Sequence, residues 1–193
     1  MLQDSQQIRV FFAIELPDPV KSFLRQLSTE LRQCGGDVKW VNPMGMHLTV
    51  KFLGGIRADL LPAIEQQVRP IFAAQKASVH SVSRLGAFPD LRKPRVVWVG
   101  CTDDSGALAP MASKLEESLE PLGFPREKRS FKPHLTLGRV RSNRGVSGLV
   151  EGIRAKMDIS GPSFVADHAV LFQSILKPTG AEYSPLLKFD FSA

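Results

Sequence analysis

Cysteine is nearly absent: Cys34 and Cys101 are the only two in 193 residues, too few for a disulfide framework and without Cys-x-x-Cys spacing. No apolar run reaches the roughly 18 residues a membrane span needs, and His-Glu-x-x-His is missing too. The first five residues lack a basic stretch leading into an apolar one, so no secretion signal is read there and a reducing cytoplasm is expected. Histidine and threonine are also scarce, four and five in the whole chain, which gives weight to any pattern that uses both.

What is present describes a folded chain. Apolar residues make up 43% and charged residues 23%, close to globular averages. The length suits one ordinary domain or two small lobes. A net charge of +6 favours phosphate-bearing partners, although a solvated basic surface accounts for charge alone equally well.

Hydrophobic periodicity predicts an α/β (α+β) chain in which strands and helices interleave. Strands are expected over residues 8–15, 38–41, 46–53, 78–85, 95–101, 133–140 and 165–175, with a short final one over 186–191. The first helix carries the stripe Val20, Phe23, Leu24, Leu27 and Leu31, with Asp18 as N-cap and Pro19 at its first position. A second helix is expected over 59–74, kinked or shortened by Pro70, and a third over 108–122. The Gly/Ser/Arg-rich stretch 141–152 reads as a mobile loop. Strand, helix and a further strand occur in both halves, suggesting a duplication into two related lobes.

The strand pair that closes each repeat carries the chemistry. His47-Leu48-Thr49-Val50 and His134-Leu135-Thr136-Leu137 share the pattern His, apolar, Thr, apolar, 87 positions apart. Two such His-x-Thr coincidences arise by composition alone with a chance of about 0.4%. On a strand, residues two apart share a face, so His47, Thr49 and Lys51 are expected on one side and Leu48, Val50 and Phe52 on the other. His134 and Thr136 stand likewise over Leu135 and Leu137. Strict alternation sends Arg139 away from His134 unless the strand ends or bulges after Leu137, which Gly138 permits.

Two opposed imidazoles suit phosphodiester hydrolysis. With an ordinary pKa near 6.5, one can be neutral and take a proton from water while the other, protonated, gives one to the departing alkoxide. Threonine hydroxyls can donate to the non-bridging oxygens as charge builds on phosphorus. No cofactor or metal is required, and neither tetrad has a carboxylate or thiolate cluster beside it.

Other residues read more plainly. His80 and His168 lack a threonine partner and are expected at the surface or a sheet edge. Asp103 and Asp104 precede a helix and would cap it or oppose its dipole. Trp40 and Trp98 read as core or cleft-wall aromatics. Arg126, Lys128, Arg129 and Lys132, just before the second tetrad, are either a solvated charge run or an attractor for a nucleic-acid backbone.

The two tetrads, with "KFLG", "GAFP", "PRVVWVG", "PHLTLGR" and "LFQSIL", resemble the two-histidine phosphoesterases, most closely the bacterial and archaeal RNA 2′,3′-cyclic phosphodiesterases, also called 2′-5′ RNA ligases. The similarity runs over nearly the whole chain. It implies one bilobal phosphoesterase domain over residues 1–193, with pseudo-twofold symmetry, helices on the outer face of each sheet and the catalytic groove between lobes. It also implies opening of a 2′,3′-cyclic phosphate to a 2′-phosphate without metal, with 2′-5′ ligation as the reverse. By motif, His47 would be the proton donor and His134 the proton acceptor, with Thr49, Thr136 and Arg139 holding substrate. The residues alone do not say which histidine does which.

The family often has a basic residue in the stretch where this chain has His168, a departure that touches a peripheral contact. The expected partners are RNA 3′ ends or nucleotides carrying a 2′,3′-cyclic phosphate, met by a monomer that does not engage membranes. The competing class is a non-catalytic nucleotide- or RNA-end-binding module, against which the retention of both histidines and both threonines argues.

Overall fold

In the computed structural model, which describes residues 6–177 and 180–192, the first strand β1 (Gln7–Glu15) is apolar without a break from Val10 to Ile14 because both faces of that stretch are covered. Val10, Phe12 and Ile14 enter the main core, while Phe11 and Ala13 join a smaller cluster with Val170 and Phe172 on the other face. The chain then enters α1 (Asp18–Gln33). Its cap is Pro17, not Asp18 as expected: the extended Pro17 already offers its carbonyl to the amides of Val20 and Lys21. Asp18 instead occupies the first turn, where its charge opposes the helix dipole.

The remaining elements are β2 (Val38–Trp40), β3 (His47–Arg57), α2 (Leu61–Ala73), β4 (Ser78–Phe88), β5 (Val96–Cys101), α3 (Leu108–Leu119), β6 (His134–Val140), α4 (Val146–Ala155), β7 (Ser160–Ala166), β8 (His168–Lys177) and β9 (Gly180–Asp190). Pro70 lies inside α2 without ending it: it withholds the N–H that the Gln66 carbonyl would accept, and the helix closes three residues later at Ala73. The expected strand over 165–175 is two strands parted at Asp167, and β9 begins six residues earlier than expected.

The stretch 141–152 is no loop in its second half, because α4 occupies it. Leu149 and Ile153, four apart, bury its inner edge. Its glycines serve close packing: a Cβ on Gly152 would stand 2.5 Å from Cys34 Sγ, and one on Gly148 would collide with the Cys34 carbonyl. Glycine signals flexibility in sequence, whereas here it lets α4 lie against the end of α1.

All pairings within the two sheets are antiparallel, with orders β3-β1-β8-β9 and β2-β6-β5-β4-β7. Leaving out β2, the orders correspond one to one: β3 with β6, β1 with β5, β8 with β4, β9 with β7. The duplication is therefore built by exchange. The first half sends β4 into the second sheet, and the second half sends β8 and β9 into the first. Helices α2 and α3 pack on each other, and α3 also packs on β3.

Candidate active site

His47 and His134 open β3 and β6, which occupy matching places beside β1 and β5. On β3, Thr49 faces Ala13 and Lys51 faces Phe12, leaving Val50 unpaired; on β6, Thr136 faces Trp98 and Gly138 faces Val97, leaving Leu137 unpaired. Both strands thus carry a one-residue bulge at the same point of the repeat. Beyond a bulge the side-chain alternation reverses. Val50 and Lys51 are consecutively buried, as are Leu137 and Gly138.

Lys51 and Phe52 depart from their expected faces. Lys51 does not share the face of His47: it is 3% exposed on the helix side, where its ammonium meets Glu116 of α3 and donates to the Pro125 carbonyl at 2.9 Å. Phe52, expected in the core, is instead 45% exposed, its ring parallel to Phe11 at 5.7 Å. Arg139, at the matching place on β6, comes round by the bulge and lines the same cavity as His47.

The two imidazoles are anchored alike. His47 Nδ1 lies 2.9 Å from the Gly45 carbonyl and His134 Nδ1 lies 2.8 Å from the Lys132 carbonyl, each two residues upstream. A carbonyl only accepts, so Nδ1 carries the proton in both rings and Nε2 is the atom left for proton exchange. His47 is also held by aromatics the sequence did not single out. Phe11 stacks on it at 4.5 Å, Tyr183 meets it edge-on at 4.9 Å, and Phe172 lies 5.9 Å away. Phe88, within the "GAFP" stretch, stands edge-on to His134 at 5.1 Å. Tyr183 is the chain's single tyrosine, a signal that was available, but it lies on the part of β9 expected to be loop.

Burial among these rings lowers the His47 pKa from near 6.5 to about 4, the Gly45 bond pulling weakly the other way. The ring is therefore neutral in the free protein at neutral pH. Between pH 6.5 and 4 the unfolded chain holds a proton here that the folded one refuses, so stability is full above that window and falls as pH drops through it. The loss from this one ring reaches about 3 kcal/mol. Urea unfolding at pH 7 and pH 4.5 is expected to show a steeper loss in the wild type than in His47→Gln.

His47 and Arg139 line a cavity of about 1170 Å³, while His134 lines a smaller one of about 410 Å³ together with Phe88, Trp98 and Lys132. Thr49 and Thr136 are half-buried on β3 and β6 and line neither cavity. His80 is not at the surface: it is fully buried, with Nε2 to Ser78 Oγ at 2.8 Å and Nδ1 to the Thr102 carbonyl at 2.9 Å. His168 is partly exposed between Asp167 and Glu15. Asp103 caps α3, accepting from the amides of Ala107 and Leu108 at 3.2 and 2.8 Å. Burial pushes the Cys101 thiol up to about 12, which leaves it inert as a nucleophile. Among the described residues no three His, Cys, Asp or Glu side chains stand together as a metal-ligand set, and no helix is long and apolar enough to cross a membrane.

The two halves of the chain each match the model of the LigT like phosphoesterases, over residues 14–98 and 99–183. The chain belongs to the LigT-like phosphoesterases. Among its relatives, the RNA 2′,3′-cyclic phosphodiesterase of Archaeoglobus fulgidus is 37% identical over 95% of this chain and 100% of its own length. That of Methanocaldococcus jannaschii is 31% identical over 91% of this chain and 96% of its own. The crystal structure of TT0787 of Thermus thermophilus superposes with a TM-score of 0.78 at 26% identity, over 95% of this chain and 97% of the other. The paired family matches agree with the exchanged-strand duplication, so this LigT-like chain is an enzyme fold built twice around one His-x-Thr strand.

Proposed function

We propose that this protein hydrolyses RNA 2′,3′-cyclic phosphate ends to 2′-phosphates with a His/His acid-base pair and no metal. The observation that carries the reading is the matched anchoring: each His-x-Thr strand opens on an imidazole fixed through Nδ1 and free at Nε2. Relatives of 31–37% identity named for this activity, aligned over more than nine-tenths of the chain, support it. In the proposed step His134 Nε2 takes a proton from water as the water oxygen bonds to phosphorus. The bond from phosphorus to O3′ breaks, and His47 Nε2 delivers a proton to O3′, leaving the phosphate on O2′. Thr49 and Thr136 donate to the non-bridging oxygens, and Arg139 offsets the charge gathering there. With a 5′-hydroxyl in place of water, the same step forms a 2′-5′ bond, the ligation counterpart. The whole chain acts as one bilobal domain, as a cytoplasmic monomer.

Because burial keeps His47 neutral in the free protein, its role as donor requires that it gain a proton when the anionic phosphate arrives. Imidazole NMR is expected to show the His47 pKa rising by about one unit or more on binding 2′-CMP. No rise would exchange the two roles.

Phosphorus NMR of cytidine 2′,3′-cyclic phosphate with enzyme and excess EDTA tests the reaction itself. Conversion to the 2′-monophosphate is expected, unchanged by the chelator. Binding of the nucleotide without product over hours would replace this reading with that of a binding module.

A further inference from the structure

The cavity that holds His47 is larger than a terminal nucleotide requires. Pockets of roughly 300–1,000 Å³ enclose drug-sized ligands, and this one measures about 1170 Å³. Its walls extend from His47 past Arg139 on β6 to Lys39 and Trp40 on the edge strand β2, then to Arg32 and Lys21 on α1.

The charges along that route are unusual in their arrangement. Lys39 stands directly opposite Arg139 in the β2–β6 register. Like charges placed opposite each other across a sheet cost stability. Neither has a carboxylate partner among the described residues, and the same holds for Lys21 and for Arg32, which lies over the Trp40 ring at 5.8 Å. The acids on the cavity wall are engaged otherwise: Glu182 with Lys177 at 2.6 Å, and Glu15 with His168 at 3.1 Å. A strip of unneutralised cations with a half-buried indole beside it is what a single-stranded polynucleotide recognises, phosphates to the cations and a base to the ring.

We propose that this cavity is the path of the RNA strand 5′ of the cyclic end, with Lys39 holding the first internucleotide phosphate while Arg139, opposite it, stays with the terminal one. The proposal rests on the phosphodiesterase reading for which end of the strand lies at His47. It makes the protein a processor of oligonucleotide ends rather than of free cyclic nucleotides. Phosphates set beside Lys39 and Arg139 relieve their repulsion, so the cost carried by the free sheet is returned when a strand binds. Lys39 lies outside the acid-base pair and the groups that hold the terminal phosphate.

The test separates strand binding from turnover. Fluorescence anisotropy measures the affinity of a labelled single-stranded hexanucleotide ending in a 3′-phosphate, across roughly 50 to 300 mM salt. Steady-state kinetics compare the same hexanucleotide bearing a 2′,3′-cyclic end with cytidine 2′,3′-cyclic phosphate. Lys39→Gln is expected to weaken hexanucleotide binding about ten-fold and flatten the log-log salt slope by about 1. The kcat/KM for the hexanucleotide should fall in parallel, that for the mononucleotide staying within about two-fold, while Lys39→Arg keeps the wild-type slope. A hexanucleotide that binds no tighter than the mononucleotide overturns the strand path, as does a Lys39→Gln effect equal on both substrates. Salt-dependent, Lys39-dependent binding with turnover of neither substrate supports the path and overturns the phosphodiesterase reading instead.

Discussion

Replacing either His47 or His134 by Ala is expected to lower kcat/KM for cytidine 2′,3′-cyclic phosphate by about 10³-fold or more, and replacing both to cost little beyond that. In the proposed step the two rings act in one transition state, one taking a proton while the other gives one. Removing either leaves the other with nothing to complement, so the losses do not add. The expectation is specific because both variants should fold. His134 is partly exposed, and His47, though packed among Phe11, Phe172 and Tyr183, hydrogen-bonds the backbone carbonyl of Gly45 rather than a side chain. Far-ultraviolet circular dichroism and urea midpoints check that, and initial rates give the effect. Near-native turnover in either variant removes that histidine from the chemistry.

The repeated His-x-Thr was legible in sequence because it is a pattern of identity, read without knowing how the strands bend. Side-chain direction was not, because alternation assumes an unbroken ladder. The bulges at Val50 and Leu137 are set by how β3 and β6 pair with β1 and β5, a tertiary matter with no local mark at Val50. Only Gly138 gave warning of one, and Arg139 was accordingly placed in doubt and then found in the cavity. Phe52 and Lys51 had no such warning and were assigned to each other's faces. The helix α4 was hidden by Gly148 and Gly152, whose role against Cys34 depends on a neighbour more than a hundred residues away. His80 was misplaced for a related reason. A polar ring can be fully buried when Ser78 and the Thr102 carbonyl satisfy both nitrogens, and that satisfaction is visible only in three dimensions.

The position of Lys51 leads to the second large effect, on stability. Its ammonium bridges the Glu116 carboxylate on α3 and the Pro125 carbonyl, and the same carboxylate accepts the Glu127 amide at 3.1 Å. Strand β3, helix α3 and the start of the segment leading to His134 are thus tied through one buried charge pair, with side chains 2% and 16% exposed. Lys51→Met removes the cation and leaves the Glu116 carboxylate poorly solvated, a change that costs about 3 kcal/mol. For a chain of this size the melting temperature should drop by roughly 6–12 °C. The double variant Lys51→Met/Glu116→Leu, which leaves no charge stranded, should recover most of it, since a buried ion pair and a packed apolar pair are often close in free energy. Activity on the cyclic mononucleotide, measured well below the melting transition, should fall far less than in the histidine variants, because the ammonium lies on the opposite side of β3 from His47. The reverse outcome, a loss of turnover with no loss of stability, would mean that Lys51 reaches the phosphate after all and that the bulge at Val50 does not persist in solution.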